Sequence, residues 1–133
     1  MPTIHITIQG VDEAIARLGQ LGVMNVLEPA MKTSLHRLQY YMAKYPPAPP
    51  RSSYRRTGTL GRKWTIAVPD IFKAGNELHG KIGILLSYAP FVQSQRFQAR
   101  VHRQRWQTDQ QAMRENQAAI VRDFEQAIRA ALR

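Results

Sequence analysis

Three charged residues in the middle of the chain have side chains suited to holding a catalytic metal ion. Asp70, Glu77 and Lys81 follow one another in the order of the carboxylate–lysine sites of restriction-type nucleases. That chemistry needs the Glu and the Lys two positions apart, so that both enter one metal site. Here they are four positions apart. A metal-dependent nuclease is therefore the less favoured hypothesis, and we predict no enzymatic activity and no catalytic, cofactor-binding or metal-binding residue.

The four histidines give no metal-binding pattern in the sequence. No two of them have the spacing of a helical metal motif. Glu77 and His79 share one face of a predicted strand, where they would need ligands from elsewhere to bind a metal. His5 is expected to be a solvated side chain on the polar face of its own strand.

Positive charge is the strongest feature of the sequence. Nineteen Lys and Arg against nine Asp and Glu give a net charge of +10, and residues 51–105 carry eleven basic residues against two acidic ones. Such a region suits phosphates or acidic protein surfaces. We predict partner or DNA contacts at ten of its residues, namely Arg51, Tyr54, Arg55, Arg56, Arg62, Lys63, Arg96, Arg100, Arg103 and Arg105.

Aromatic residues lie among these cations. Tyr54 is flanked by arginines, and Trp106 follows Arg105. Such mixtures bind phosphates by charge and bases by stacking. A DNA-binding module that uses the Arg-rich segment 51–105 is therefore the alternative function, although no sequence-reading motif is present. Docking on a protein surface is the other use of the same charge.

Hydrophobic patterns predict the first elements that position these residues. Ile4, Ile6 and Ile8 alternate with polar residues, as in a half-buried strand. Asp12 opens a short helix. A longer helix is predicted to start at an Asn25 cap, with Pro29 in its first turn, and to stop at the proline run 46–50.

Later elements follow from the same patterns. Trp64, Ile66 and Val68 alternate as in a strand, onto which residues 78–86 pair back through a turn at 69–70 or 75–76. Residues 88–92 are predicted to be a turn or short helix, and residues 97–106 a strand or arm. Thr108 with Gln111 predicts the cap of a last helix, whose apolar stripe includes Val121.

These elements predict a single α+β domain over residues 1–133. A mainly antiparallel β-sheet packs against the long helix and the C-terminal helix. An extended Pro/Arg-rich loop is expected at about 46–61 and a basic arm at about 94–107. The chain has no Cys, which excludes disulfides. No signal peptide or membrane-spanning run is predicted.

Two short motifs stand in a definite order along the chain. Thr57-Gly58-Thr59-Leu60 follows the long helix and its proline run, and Tyr88-Ala89-Pro90-Phe91-Val92-Gln93 follows the predicted strand pair. Together with the final helix, this order resembles the small tail-component family of siphophages, the gene-product-ten-like proteins of lambdoid phages. Gln93 stands where that family often has Glu, and Ser94-Gln95 replaces Gly-Thr.

The resemblance implies a structural virion protein of a tailed phage or prophage. Such a protein is a tail-completion, terminator or head–tail joining subunit that forms a ring between the tail tube and the head connector. The ring is expected to be a sixfold homo-oligomer where it belongs to the tail, and twelvefold where it follows the portal. DNA in the channel is a further expected partner, and a membrane is not.

The same resemblance implies a location and an interface. The protein would be assembled in the host cytoplasm and reside in the neck or tail of the virion. The candidate subunit-interface residues are those of the two motifs, namely Thr57, Gly58, Leu60, Tyr88 and Phe91.

Overall fold

The computed structural model describes residues 2–8, 12–46, 58–75 and 77–132. Over these residues the chain has the predicted α+β class. Its elements, in chain order, are β1 (Thr3–Ile8), α1 (Asp12–Leu18), α2 (Gln20–Met42), α3 (Thr59–Ile66), β2 (Asp70–Ala74), β3 (Glu77–Gly83), α4 (Ala89–Gln93), a 3-10 turn (Arg100–His102) and α5 (Asp109–Ala131).

The three strands form an antiparallel sheet in the order β1-β3-β2. Thr7 and Phe72 both lie opposite His79 on the central strand. One face of the sheet is apolar because Ile4, Ile6 and Ile82 are buried on it. Alternation along the strands leaves the polar residues on the other face, which points away from the core.

The core lies between the apolar sheet face and the long helix α2. The apolar spacing of the sequence predicts one buried stripe along this helix, formed by Leu27, Met31, Leu35, Leu38, Met42 and Tyr45. The first five are fully buried, whereas Tyr45 lies beyond the end of the helix and is half-buried. Residues four positions apart lie on one side of a helix, so the stripe forms a continuous ridge under the sheet.

The predicted start of α2 is wrong. The helix begins at Gln20 rather than after Asn25, and Pro29 lies inside it. An interior proline costs roughly 3 kcal/mol because it removes a hydrogen bond. Val23 and Met24 are fully buried before it, and burying each contributes about 1.5–3 kcal/mol. Core contacts upstream of the proline therefore extend the helix toward the N-terminus.

The predicted strand at residues 64–68 is also wrong. Residues 59–66 form α3, which buries Leu60 and Trp64 on one side and leaves Ile66 exposed. The alternation of apolar residues fits a strand, but the four-residue spacing of Leu60 and Trp64 fits a helix equally well. The side-chain amide of Gln39 decides between them, because it donates to carbonyls in the last turn of α3 and just after it.

The first strand of the hairpin is therefore not residues 64–68 but the segment that follows α3. Strand β2 begins at Asp70, and the chain reverses between Ala74 and Glu77, where one of the two predicted turns lies. Gly75 has a φ of 61°, in the left-handed region that glycine adopts without strain.

The last helix begins as predicted. The Thr108 hydroxyl accepts a hydrogen bond from the Gln111 amide at 3.1 Å, and Asp109 occupies the first turn. The Gln111 side chain donates to Glu115 rather than back to the cap. Helix α5 buries Ile120 and Phe124, whereas Val121 is 46% exposed and does not belong to the buried stripe.

Two polar contacts join α5 to α2. Arg37 and Asp123 form an ion pair at 2.9 Å. The Tyr41 hydroxyl donates to the Glu115 carboxylate. Hydrogen bonds from Tyr41 and Gln111 hold the pKa of Glu115 below its usual value. Partial burial, reinforced by the same bond, raises the pKa of Tyr41.

The sheet approaches α2 most closely at Gly80. A Cβ atom on Gly80 would overlap Met31 Sδ and lie only 2.9 Å from Leu35 Cδ1. Both side chains are fully buried and cannot move into solvent. Gly80 is therefore required by the packing of the central strand on the helix.

We expect Gly80→Ala to lower the free energy of unfolding by about 1–3 kcal/mol, because the added methyl group overpacks the core. Urea denaturation measures the change. Gly22→Ala is the matched control, since its Cβ would meet only Leu18 at 3.4 Å. That variant should gain up to about 1 kcal/mol from helix propensity. Equal stability of both variants would contradict the assigned packing.

Candidate functional surface

Part of the predicted contact surface lies outside the described residues. This applies to Arg51, Tyr54, Arg55, Arg56 and Thr57, and to most of the proline run. The remaining predicted residues fall on α3 and on the stretch between β3 and α5. The second stretch contains residues 94–107, here called the arginine segment.

The arginine segment is neither a strand nor a free arm. It consists of turns and the 3-10 turn Arg100–His102, with Gln104 at a positive φ of 63°. The side-chain amide of Gln98 donates to the Val92 and Trp106 carbonyls at 2.7 and 3.1 Å. The segment is therefore folded back on itself and on the end of α4.

The C-terminal end of the arginine segment is attached to the C-terminus of α2. The Gln107 amide donates to the carbonyls of Tyr41, Met42 and Lys44. The last carbonyls of a helix have no partner within the helix. Gln107 supplies these partners at the point where the helix ends, at Met42.

A second glutamine joins the same helix end to α3. Gln93 is fully buried at the end of α4. Its carbonyl oxygen accepts from the Trp64 indole N–H at 2.7 Å, and its amide donates to the Met42 carbonyl at 2.8 Å. One side chain thus connects α2, α3 and α4, and we call this contact the Gln93 junction.

These glutamines were missed by the sequence reasoning. Glutamine belongs to no capping motif at this distance along the chain, so each contact depends on the tertiary fold. The available signal was compositional, because residues 93–111 contain seven glutamines, namely Gln93, Gln95, Gln98, Gln104, Gln107, Gln110 and Gln111.

The outer side of the arginine segment is strongly basic. Its four predicted contact residues are all exposed, namely Arg96, Arg100, Arg103 and Arg105. None of them takes part in an ion pair within the part of the chain that the structure describes. The Arg96 guanidinium lies 5.1 Å from the centre of the Phe97 ring.

The basic residues of α3 are exposed as well. Arg62 reaches the Thr59 hydroxyl at 3.4 Å, and Lys63 lies in the last turn of this helix. Both side chains are therefore accessible from solvent.

Apolar side chains accompany the arginines. Tyr88, Phe91 and Phe97 are 43%, 56% and 50% exposed. The Ala99 amide donates to the Phe91 carbonyl at 2.7 Å, which ties the arginine segment to α4. We call these three residues the aromatic surface. Tyr88 and Phe91 are thus accessible, as a subunit interface requires.

Leu60 does not meet that requirement. Its side chain is only 4% exposed and belongs to the hydrophobic core. Within the chain its role is to anchor the first turn of α3. Gly58, just before it, has a φ of 77° and starts that helix in the left-handed conformation.

A second apolar surface lies at the end of the sheet. Val68 and Leu85 are 82% and 78% exposed and line one shallow depression of about 270 Å³. Thr3 and Gly83, at the start of β1 and the end of β3, also line it. We call Val68 and Leu85 together the sheet-end surface.

The arginine segment also borders a polar cleft. The cleft has a volume of about 520 Å³ and lies beside the start of α5. Arg103 and Arg114 contribute two cations, and Trp106 contributes an aromatic ring. These groups have the chemistry to bind a phosphate and an adjacent planar base.

The suggested nuclease residues do not converge. Asp70 lies opposite Lys81, whereas Glu77 lies opposite Ala74 at the other end of the hairpin. Four residues of strand separate the two carboxylates by about 13 Å. His5 is exposed on the polar face of β1, as expected, and its ring also lies against His79.

The described part of the chain contains no group of three or more metal-ligand residues of the types His, Cys, Asp and Glu. No helix in it is both long and apolar enough to cross a membrane. No protein-family model matches the chain, and neither does any curated protein or solved structure.

The Gln93 junction gives a pH-dependent prediction. Gln93→Glu replaces a donor with a carboxylate that faces the Met42 carbonyl. We expect a loss of about 2–5 kcal/mol in unfolding free energy at pH 8, because a buried charge lacks a partner. Burial raises the pKa of such a carboxyl. The loss should therefore shrink toward pH 5, where the protonated acid donates as the amide does.

Urea denaturation of wild type and variant at both pH values measures this effect. Gln110→Glu is the control, because Gln110 is exposed in the first turn of α5. It should change stability by less than about 1 kcal/mol at either pH. A loss for Gln93→Glu that is the same at pH 5 and pH 8 would refute the assigned hydrogen bonds.

Proposed function

We propose that this protein is a structural subunit of a tailed phage or prophage, forming a homo-oligomeric ring at the head–tail junction or the top of the tail. In that position it joins the tail tube to the head connector as a tail-completion or terminator protein. The observation that carries the proposal is the presence of two separate exposed apolar surfaces on one small chain.

Ring closure explains why two surfaces are needed. In a ring, each subunit contacts its neighbours through two different faces, which repeat by rotation. The sheet-end surface, beside the strands of the hairpin, and the aromatic surface, on α4 and the arginine segment, are a candidate pair, since the side chains of both are exposed. Exposed apolar clusters on soluble proteins commonly mark interaction sites. The occupant of each surface, in this proposal, is a second copy of the chain.

The free edge of the sheet supports the same arrangement. Strand β2 pairs only with β3 among the described strands. Four of its five residues are exposed. Such an edge can accept a strand or loop from a neighbour, which adds main-chain hydrogen bonds to the apolar contact.

The order of motifs gives the assembly its proposed location. A helix, a proline run, Thr57-Gly58-Thr59-Leu60, a hairpin and Tyr88-Ala89-Pro90-Phe91 follow one another here as in the siphophage tail-component family. The sixfold form is our proposal for a tail ring. The exposed arginines then face either acidic tail or connector proteins or the DNA in the channel.

Sedimentation velocity and negative-stain imaging of the purified chain test the ring. We expect closed rings, with Val68→Asp requiring at least about tenfold more protein to assemble, because a carboxylate desolvated at the contact lacks a partner. Val121→Asp is the matched control on the exposed face of α5. Its assembly should equal that of the wild type.

Virions provide the second readout. Mass spectrometry and image reconstruction of phage particles that encode the chain should find it in the neck or tail. A chain that stays monomeric at every concentration and is missing from the particles would overturn the proposal. Equal effects of Val68→Asp and Val121→Asp would overturn the assigned contact surface.

The polar cleft favours a second candidate function, the binding of DNA. Fluorescence anisotropy with labelled duplex and single-stranded DNA should then show affinity that falls steeply with salt. Replacing Arg103 and Arg114 by Ala should reduce the slope of log K against log salt by about 0.9 for each phosphate that the variant no longer neutralises. Arg17→Ala with Arg122→Ala removes the same charge elsewhere. No binding at low salt would end this candidate.

A further inference from the structure

The solvent side of the sheet brings together two histidines that are far apart in sequence. His5 Nε2 lies 2.8 Å from His79 Nδ1, across the pairing of β1 with β3. The Thr7 hydroxyl is 3.3 Å from the same His79 nitrogen. The sheet fixes both backbones, so this proximity is a property of the fold rather than of a mobile loop.

The spacing of the two nitrogens suits one kind of metal ion. Nitrogens about 2.0–2.1 Å from one ion and at a right angle are about 2.9 Å apart, whereas a tetrahedral angle places them at about 3.3–3.4 Å. The observed 2.8 Å is the length of the hydrogen bond between the two rings, and it is close to the right-angle spacing. Rotation of the exposed His5 ring would then aim both lone pairs at one ion. Square-planar or tetragonal sites of nitrogen and oxygen are typical of Cu²⁺ and Ni²⁺.

We propose that His5 Nε2 and His79 Nδ1 form a two-histidine site for one Cu²⁺ or Ni²⁺ ion per chain, with water completing the coordination. The site does not depend on the ring assembly, because both ligands belong to one sheet. Binding replaces the hydrogen bond between the rings. The proton of that bond moves to His5 Nδ1, so both ligands stay neutral.

Glu77 is placed to orient the His79 ring. His79 Nε2 is buried without a hydrogen-bond partner within the described residues. The Glu77 carboxylate lies 3.6 Å from it, slightly beyond hydrogen-bond distance. Ligating histidines usually donate their other N–H to such a group. A proton on Nε2, facing this carboxylate, leaves the Nδ1 lone pair free for the metal.

Phe72 limits the motion of the proposed site, and Lys81 limits its affinity for a cation. The Phe72 ring stacks on His79 with a centroid distance of 5.1 Å and an interplanar angle of 7°, which fixes that ligand. His5 is exposed and can rotate toward an ion. Loss of hydration against the neighbouring rings, with Lys81 and His79 nearby, lowers the pKa of His5. The Lys81 charge itself opposes a cation.

Isothermal titration of the untagged protein with CuCl₂ and NiCl₂ at pH 7.5 tests the site. We expect one ion per chain, lost in His5→Gln and in His79→Gln and retained in the control His36→Gln on α2. Glu77→Gln should weaken binding by about 10–100-fold, the usual effect of removing such a partner. Lys81→Gln should strengthen it.

Electron paramagnetic resonance of the Cu²⁺-loaded wild type gives a readout that needs no variant. The spectrum should show a tetragonal site with two nitrogen ligands. Binding that persists unchanged in His5→Gln would overturn the proposal. So would a wild-type affinity no greater than that of the double variant, or a spectrum with one nitrogen.

Discussion

The structure depends most on how the C-terminus of α2 is completed. A helix that ends against a proline run leaves carbonyl groups that must find donors elsewhere. Gln93 and Gln107 provide these donors from residues that lie far along the chain. Because Gln93 also accepts from Trp64, the same contact positions α3 against the core. The surface at residues 88–107 therefore depends on the end of a buried helix.

Elements with one dominant hydrophobic period could be predicted from the sequence. The alternation at Ile4, Ile6 and Ile8 specifies β1, and the four-residue spacing from Leu27 to Met42 specifies most of α2. Where the apolar residues fit both a strand period and a helix period, the sequence alone did not determine which element forms. Trp64 continues an alternating pattern and also a helical one, and the outcome depended on hydrogen bonds from Gln39. Such contacts have no local signature.

The candidate surface was predictable in its charge but not in its form. The exposed arginines at 96, 100, 103 and 105 lie where the composition placed them. Their segment is anchored rather than extended, since glutamine amides bind its ends to α2 and α4. The proximity of His5 and His79 could not be foreseen either, because it follows from the register of β1 against β3. Register is set by the whole sheet and not by either strand.

The glutamine contacts bind main-chain carbonyls rather than side chains at Tyr41, Met42 and Lys44. Carbonyl groups are the same in every residue type, so these hydrogen bonds do not depend on which side chains stand at the helix end. A substitution at an exposed position such as Lys44 therefore leaves the anchoring hydrogen bond in place. Replacing Gln93 or Gln107 removes the hydrogen bonds themselves, because their own side chains make the contacts.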